Sequence, residues 1–515
     1  MSSKISYKKT ILTGTLILTL SGFLARILGF YNRIFLSNLI GAKELGIYQL
    51  IFPVYMLCFS LCCHGFETGI ANLTSRFFAK NQKKNAHQLV KLGCLLSFSL
   101  SILLMFFLFE GADYLSTIIL KEASAAPSLK IAALSLPFVS IKACLHGYYV
   151  GLNRSCVPAV SQIIEQITRV GGIYFLSVTI FILGADARIA AWGMVLGEGA
   201  STLYTILAYF YTSFREQRYF NSSALSTKEL FRHFFSFSIP ISVNHFSLTI
   251  ISSLETMLIP FMLKIFFQSH TQALEAYGTL TGMALPFLFF PATIVNSLSV
   301  MLMPAISSAY DQKQHRQMES TISSSLHFCV LIGIFSTFAF LIYGTVLGET
   351  IFHSKEAGQY IYTFSILCPF MYAVQTTSSI LNGFGKTKQT LYHNLLGVGI
   401  RILFILLLIP SKGISGYLIG LLAGYSLQLI LNLFLIYQTV PFPFSAEKTL
   451  LFPTITAILS GIISKECWKA ASNALPFSSF YILAAGGCLY FLLFVLFQFT
   501  RVRLTAQSGQ SAHTK

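Results

Sequence analysis

Arg26 and Arg33 sit in the stretch SGFLARILGFYNRIFLSNLIG, residues 21–41, whose other residues are mostly apolar or small. Seven residues make two turns of an α-helix, so the two guanidinium groups share one stripe, about 10 Å apart along the axis. At the centre of a membrane helix an arginine costs about 2.5–3.5 kcal/mol on insertion scales, so it faces a bundle interior or a wet cavity. Fixed cations placed there can recognise an anion, and phosphate and diphosphate are the groups that the planar guanidinium fork matches. Gly22 and Gly29 repeat at the same spacing and give a face for close approach by a helix or a ligand. Asn32 borders the stripe. The competing reading is structural, with both arginines bridging to acids on neighbouring helices.

Five more basic residues fall within apolar runs: Lys91, Lys142, Arg169, Lys264 and Arg401. Lys91 and Lys264 are near run ends, where a long stem carries the charge to the surface. The acids in such runs are Glu67, Glu165, Glu198 and Glu255, so cations outnumber acids seven to four. That balance suits an anionic ligand, and Lys142, Arg169 and Arg401 join Arg26 and Arg33 as candidate ligand-binding residues. Glu165 and Arg169 are spaced i,i+4 and read as a mutual pair. Lys142 and His146 share that spacing. His64 and Glu67 are i,i+3, and histidine titrates near neutral pH. His64, Glu67, Glu165 and Glu255 are therefore the candidates for coupling to an ion.

Nothing in the sequence resembles a Walker A loop, an HExxH helix or a nucleophile elbow. No catalytic residue, metal site or cofactor is expected, and the driving energy falls to an ion gradient, the membrane potential or substrate flux. Cys62-Cys63-His64 has no partner motif, and the ten cysteines, mostly within apolar runs, read as free thiols.

The elements that must position these residues are membrane helices. The 515-residue chain is 54% hydrophobic and 10% charged, with a mean hydropathy of +0.69. A soluble domain carries about 25% charged residues. This chain has too few polar residues to cover a globular surface. Its net charge of +17 fits basic loops on the cytoplasmic side and not nucleic-acid binding. Hydropathy places spans at 10–37, 46–78, 88–109, 128–150, 158–184, 187–214, 229–264, 276–310, 319–345, 357–382, 390–409, 413–438, 449–468 and 477–500. With the N-terminus inside, twenty of the 35 Lys and Arg fall in inner segments and eight in outer loops, which supports that orientation and cytoplasmic N- and C-termini. The apolar character after MSSKISYKKT continues past Arg26, so the first span reads as retained and not as a cleaved leader.

The chain also repeats. GLNRSCVPAVSQIIEQITRV matches GFGKTKQTLYHNLLGVGIRI at an offset of 232, pairing Gly151 with Gly383, Arg154 with Lys386 and Arg169 with Arg401. Gly397 stands where Glu165 would be, so Arg401 lacks that partner. Gln82-Lys83 pairs with Gln312-Lys313 near offset 230, and Gly193 and Gly197 pair with Gly416 and Gly420 at 223. Six spans per repeat give two halves in one orientation, with residues 214–233 as the cytoplasmic connection. The expected architecture is all-α and integral to the membrane. It has about 14 transmembrane helices in two pseudo-symmetric six-helix bundles, 1–220 and 221–440, plus two C-terminal helices over 441–500 and a cytoplasmic tail at 501–515. Repeat-built transporters bind substrate between repeats and alternate access by rocking.

The segments GTLILTLSGFLARILGFYNRIFLSNLIGAKELGIYQLIFPVY and GYYVGLNRSCVPAVSQIIEQITRV resemble the stage V sporulation protein B and polysaccharide-biosynthesis membrane protein family, and the likeness extends over roughly residues 8–500. That family belongs to the superfamily of multidrug and toxic compound extrusion (MATE) transporters and lipid II flippases. The resemblance implies a MATE-like fold in a bacterial plasma membrane. It also implies movement of a polyprenyl-diphosphate-linked saccharide, such as a peptidoglycan precursor, from the inner to the outer leaflet. The partners implied are that lipid-linked substrate, membrane lipids and cell-wall synthesis enzymes, with the chain a monomer. Arg26 is the implied diphosphate residue, followed by Arg33. The first span lacks the acid that MATE transporters carry there. The alternatives are a cation-coupled drug or metabolite exporter and a non-transporting scaffold of a wall-synthesis complex.

Overall fold

The computed structural model describes residues 2–180, 184–216, 226–474 and 479–512, and every described element is helical. Much of the expected connection over 214–233 and the end of the tail lie outside the described residues. Helix α1 (Ser2–Phe59) is two helical segments joined at Gly41, whose φ of 75° is the left-handed conformation that glycine adopts without a Cβ clash. A single residue thus supplies the break expected between the first two spans. A π-helical turn (Ser60–His64) continues the rod into α2 (Gly65–Ala79). There follow α3 (Lys83–Tyr114), α4 (Ala125–Ala133), α5 (Leu136–Gly151), α6 (Cys156–Thr179), α7 (Ala187–Glu216), α8 (Thr227–Phe267) and α9 (His270–Gly278). Beyond a further π-helical turn, Thr279–Ala284, come α10 (Leu285–Asp311), α11 (His315–Phe352), α12 (Lys355–Phe364), α13 (Cys368–Gly383), α14 (Thr387–Lys412), α15 (Ile414–Thr439), α16 (Phe452–Ala474) and α17 (Ser479–Ala512).

Among the described residues, ten helices are long and apolar enough to cross a membrane, or eleven if the bent pair α4–α5 is one span. That count takes Gly22–Ala79 as one rod and leaves out α6 and α7. The omission has a physical basis: α6 and α7 carry Glu165, Arg169, Arg188 and Glu198, charges that lower their hydropathy.

Two compact units divide the chain, one comprising Met1–Phe261 with His270–Gly278, the other Met262–Ser269 with Thr279–Lys515. The core of the first gathers Phe66 and Ile70 of α2, Leu89 of α3, Tyr148 of α5, Tyr209 of α7 and Phe234 of α8. In the second, α17 docks on α11 through Phe335, whose ring stacks on Tyr490 at 4.9 Å. The Tyr490 hydroxyl donates to the Phe335 carbonyl at 3.1 Å, which satisfies the polar tip of a buried aromatic.

The internal repeat is visible in the backbone of each unit. Asn81 and Lys313 are both left-handed, as are Asn153 and Gly385, and each pair is 232 residues apart. After α2 the Gln82 N–H donates to Phe77, and after α10 the Gln314 N–H donates to Ala309. Gln82 therefore corresponds to Gln314 and not to Gln312, correcting the sequence alignment by two residues. The glycine pairing at 223 is also corrected. Gly193 packs beside the Arg169 carbonyl and Gly197 beside the Arg169 side chain; in the second unit those places belong to Gly420 and Gly424, against Arg401. The offset there is 227, one helical turn from the sequence reading. Glycines spaced every four residues look alike when displaced by a turn, and only the packing partner fixes the register.

These close approaches make a testable contrast. A Cβ on Gly151 would stand 2.5 Å from the Ala71 carbonyl oxygen, and one on Gly383 2.9 Å from that of Met303. Gly171 and Gly399 have nothing within 4 Å. Gly151→Ala and Gly383→Ala should each destabilise the protein by about 1–3 kcal/mol. Gly171→Ala and Gly399→Ala should be neutral or stabilise by about 0.4–1 kcal/mol. Thermal unfolding of the purified protein in detergent separates the two pairs.

Candidate functional site

In the first unit, α5, α6 and α7 bring four charges together. Lys142 on α5 donates through Nζ to Glu165 Oε2 on α6 at 2.8 Å and to Glu198 on α7. Arg169, one turn beyond Glu165, donates to Glu165 Oε1 at 2.6 Å and stands 3.8 Å from Glu198 Oε1. Lys142 and Glu198 are each 7% exposed, so the cluster is interior. Its two cations and two carboxylates cancel, as ionised groups removed from water require. Gly197, with no side chain, lets α7 approach the Glu165 carbonyl and the Arg169 stem closely enough to close the network.

The expected Glu165–Arg169 pair is present. Lys142 and His146 are not partners: Lys142 turns to the carboxylates, and His146 Nε2 lies 3.2 Å from Ser161 Oγ, which also accepts from Thr205. Glu198, which completes the network, was not among the sequence candidates. Its partner Lys142 lies 56 residues away on another helix, and spacing along one helix gives no signal for it.

The second unit keeps the frame and drops the charges. Arg401 is 8% exposed, and its guanidinium carbon lies 5.0 Å from the centre of the Tyr425 ring. In the corrected register, Val374, Gly397 and Tyr425 occupy the places of Lys142, Glu165 and Glu198. An aromatic face thus meets the cation where the first unit uses a carboxylate. The neighbouring polar triple recurs with its members exchanged. His146, Ser161 and Thr205 of the first unit become Ser378, His393 and Asn432, with His393 Nδ1 2.8 Å from Asn432 Oδ1 and Asn432 Nδ2 donating to Ser378 at 3.1 Å.

Arg26 and Arg33 on α1 are both exposed, and among the described residues neither forms an ion pair. Arg33 lies within electrostatic reach of Tyr48 and Arg169. Gly29, on the same stripe, packs α1 onto α6, where its Cβ would meet Gln166 Oε1 at 3.3 Å; Gly22 has open space. Two buried polar atoms of α1 and α6, Asn32 Oδ1 and Gln166 Oε1, have no hydrogen-bond partner, and neither does Arg169 Nε, which lies near Gly197 of α7. Buried polar atoms are normally satisfied, so this is where a polar ligand or water is wanted.

Of the coupling candidates, Glu165 belongs to the network, and Glu67 lies within electrostatic reach of Lys142. Glu67 lies near the start of α2, its backbone carbonyl against Gly147 of α5. Glu255 is buried on α8. His64 ends the π-helical turn, stacked on His245 with ring centres 4.8 Å apart.

The network carries a stability prediction. Glu198→Ala leaves Lys142 and Arg169 sharing one buried carboxylate, and breaking such a pair costs about 3–5 kcal/mol. The double replacement Lys142→Met with Glu198→Leu removes one charge of each sign and should recover most of that loss. Thermal unfolding in detergent should therefore rank wild type, then the double variant, then Glu198→Ala.

The model of the family described as polysaccharide biosynthesis protein matches residues 11–310, more than half of the chain, and the MatE family model matches residues 246–407. The chain is 26% identical over 504 residues to stage V sporulation protein B of Bacillus subtilis (strain 168), covering 95% of this chain and 96% of that protein. Among solved structures, lipid II flippase MurJ in its inward closed conformation matches with a TM-score of 0.70 at 17% identity, over 95% of this chain and 100% of the other. The inward-facing conformation of a multidrug resistance MATE family transporter of the MOP superfamily matches with a TM-score of 0.63 at 16% identity, over 82% and 97%. None of these three is an enzyme. The two structural likenesses show the fold, which this chain shares with both proteins. With more than half of its length matched by one family model, the chain belongs to the polysaccharide biosynthesis protein family.

Proposed function

We propose that this chain is a flippase for a polyprenyl-diphosphate-linked saccharide, of the kind that lipid II exemplifies, moved from the inner to the outer leaflet by alternating access of its two repeats. The observation that carries this reading is the cationic stripe of α1. Arg26 and Arg33 are both exposed on α1, with Arg33 in electrostatic reach of Arg169, whereas the four charges of the neighbouring network cancel one another. A site with surplus guanidinium groups takes a phosphate or diphosphate and repels a cationic drug. The stretch Gly22–Gly41 holds no acid, which disfavours cation-coupled drug export. Family membership and likeness to a lipid II flippase support the same cargo class.

In this reading Arg26 and Arg33 are the first contacts of the diphosphate, Arg169 extends the site through its unpartnered Nε, and Lys142 holds the carboxylates that position Arg169. Arg401 is the corresponding cation of the second repeat. Residues 1–220 and 221–440 are the two repeats, with α8 up to Phe261 packed into the first compact unit, and the helices of 441–500 are added outside the repeat. The protein acts as a monomer in the bacterial plasma membrane, with both termini cytoplasmic.

Translocation in proteoliposomes tests this. With a labelled polyprenyl-diphosphate saccharide, Arg26→Ala and Arg33→Ala should each slow transfer by about tenfold to a hundredfold, the worth of a lost charge-assisted hydrogen bond. Lys91→Ala, at a span end, should leave the rate unchanged. Transfer rates indifferent to both arginines, or export of cationic dyes without lipid transfer, would overturn the proposal.

A further inference from the structure

A cavity of about 340 Å³ opens within the first unit, between α8 and the part of the first rod that runs from α1 into its π-helical turn. Phe52 and Phe59 contribute to its apolar wall; His64, His245, Thr249 and Ser252 contribute to its polar wall. The Ser253 hydroxyl donates to the Pro53 carbonyl at 2.9 Å and fastens α8 to α1 beside the cavity. The walls are therefore held in place without any ligand.

The chemistry of the lining is selective. The two imidazole rings stack within 20° of parallel, and Phe59 meets His64 edge-on at 5.1 Å. Neither imidazole has a hydrogen-bond partner among the described residues, so their nitrogens are available to the cavity. Thr249 spends its proton on the His245 carbonyl at 2.8 Å and keeps its lone pairs as acceptors. Ser252 is exposed, with its hydroxyl uncommitted. No Asp, Glu, Lys or Arg lines the cavity.

Imidazole rings and hydroxyls can both donate and accept hydrogen bonds. An anion would call for a fixed cation, and an alkyl chain would leave the imidazole nitrogens unsatisfied. A neutral polyhydroxylated ring meets both walls, with its hydroxyls on the histidine side and its C–H face on the phenylalanines. The volume lies at the small end of ligand sites, about 300–1,000 Å³, which suits one ring and not an oligosaccharide.

We propose that this cavity seats one pyranose ring of the cargo's saccharide, with His64 and His245 as specificity-determining residues. The inference rests on the flippase reading and deepens it: the arginine stripe reads the diphosphate, and the histidine cavity reads the sugar.

The test titrates the full-length protein in nanodiscs with two lipids, a polyprenyl diphosphate carrying a single N-acetylglucosamine and the bare polyprenyl diphosphate. His64→Phe and His245→Phe keep the ring stack and remove the nitrogens. Each should weaken binding of the sugar-bearing lipid about tenfold and leave the bare lipid unchanged. Ser252→Phe fills the cavity from an exposed position and should have the same selective effect, which guards against a histidine variant that folds poorly. Equal wild-type affinity for the two lipids, or variants that weaken both alike, would overturn the sugar assignment and leave the flippase reading standing. A wild-type protein that binds neither lipid would overturn the flippase reading and this inference with it.

Discussion

Ionised groups held away from bulk water must be neutralised by partners, and the first unit meets that constraint in two ways. Lys142, Glu165, Arg169 and Glu198 neutralise one another across three helices. This fixes α5, α6 and α7 as a block whose geometry depends on every member. Arg26 and Arg33 on the adjoining α1 stand outside that balance and remain open. The four charges of the network cancel one another, and the two guanidinium groups of α1 do not enter that balance.

The second unit shows that the network is not demanded by the fold. The same helical frame recurs, with left-handed turns at matching places and a polar triple whose members are exchanged. Val374, Gly397 and Tyr425 stand at the positions equivalent to the charges, and Arg401 meets the Tyr425 ring. One repeat thus satisfies its interior with ion pairs and the other with packing and a cation–π contact. Replacing a buried ion pair by apolar groups is commonly neutral or stabilising, so the fold accommodates either solution. The charges retained in the first repeat keep Arg169 positioned beside the α1 stripe.

Much of this was legible in the sequence, for identifiable reasons. Long apolar runs pointed to the helical membrane architecture, because a bilayer permits few other solutions. The repeat was legible at Gly151 and Gly383, since a backbone-to-backbone approach tolerates no side chain. Its register in the last helix of each half was not, because glycines every fourth residue align equally well one turn away. The Glu165–Arg169 pair was visible as an i,i+4 spacing, but Glu198 was not, since its contacts cross between helices. His245 escaped notice for the same reason. It is one histidine of eleven in the sequence, and only folding stacks it on His64. Local spacing reports what one helix does with itself, whereas sites built between helices need the fold.

The account stands or falls on whether the open arginines of α1 recognise a diphosphate. Native mass spectrometry of the purified protein with undecaprenyl diphosphate and with undecaprenol, wild type beside Arg26→Ala, asks this directly. The account predicts a persistent complex with the diphosphate, little or none with the alcohol, and loss of the diphosphate complex on Arg26→Ala. Binding that ignores the headgroup, or that survives removal of the arginine undiminished, would contradict it.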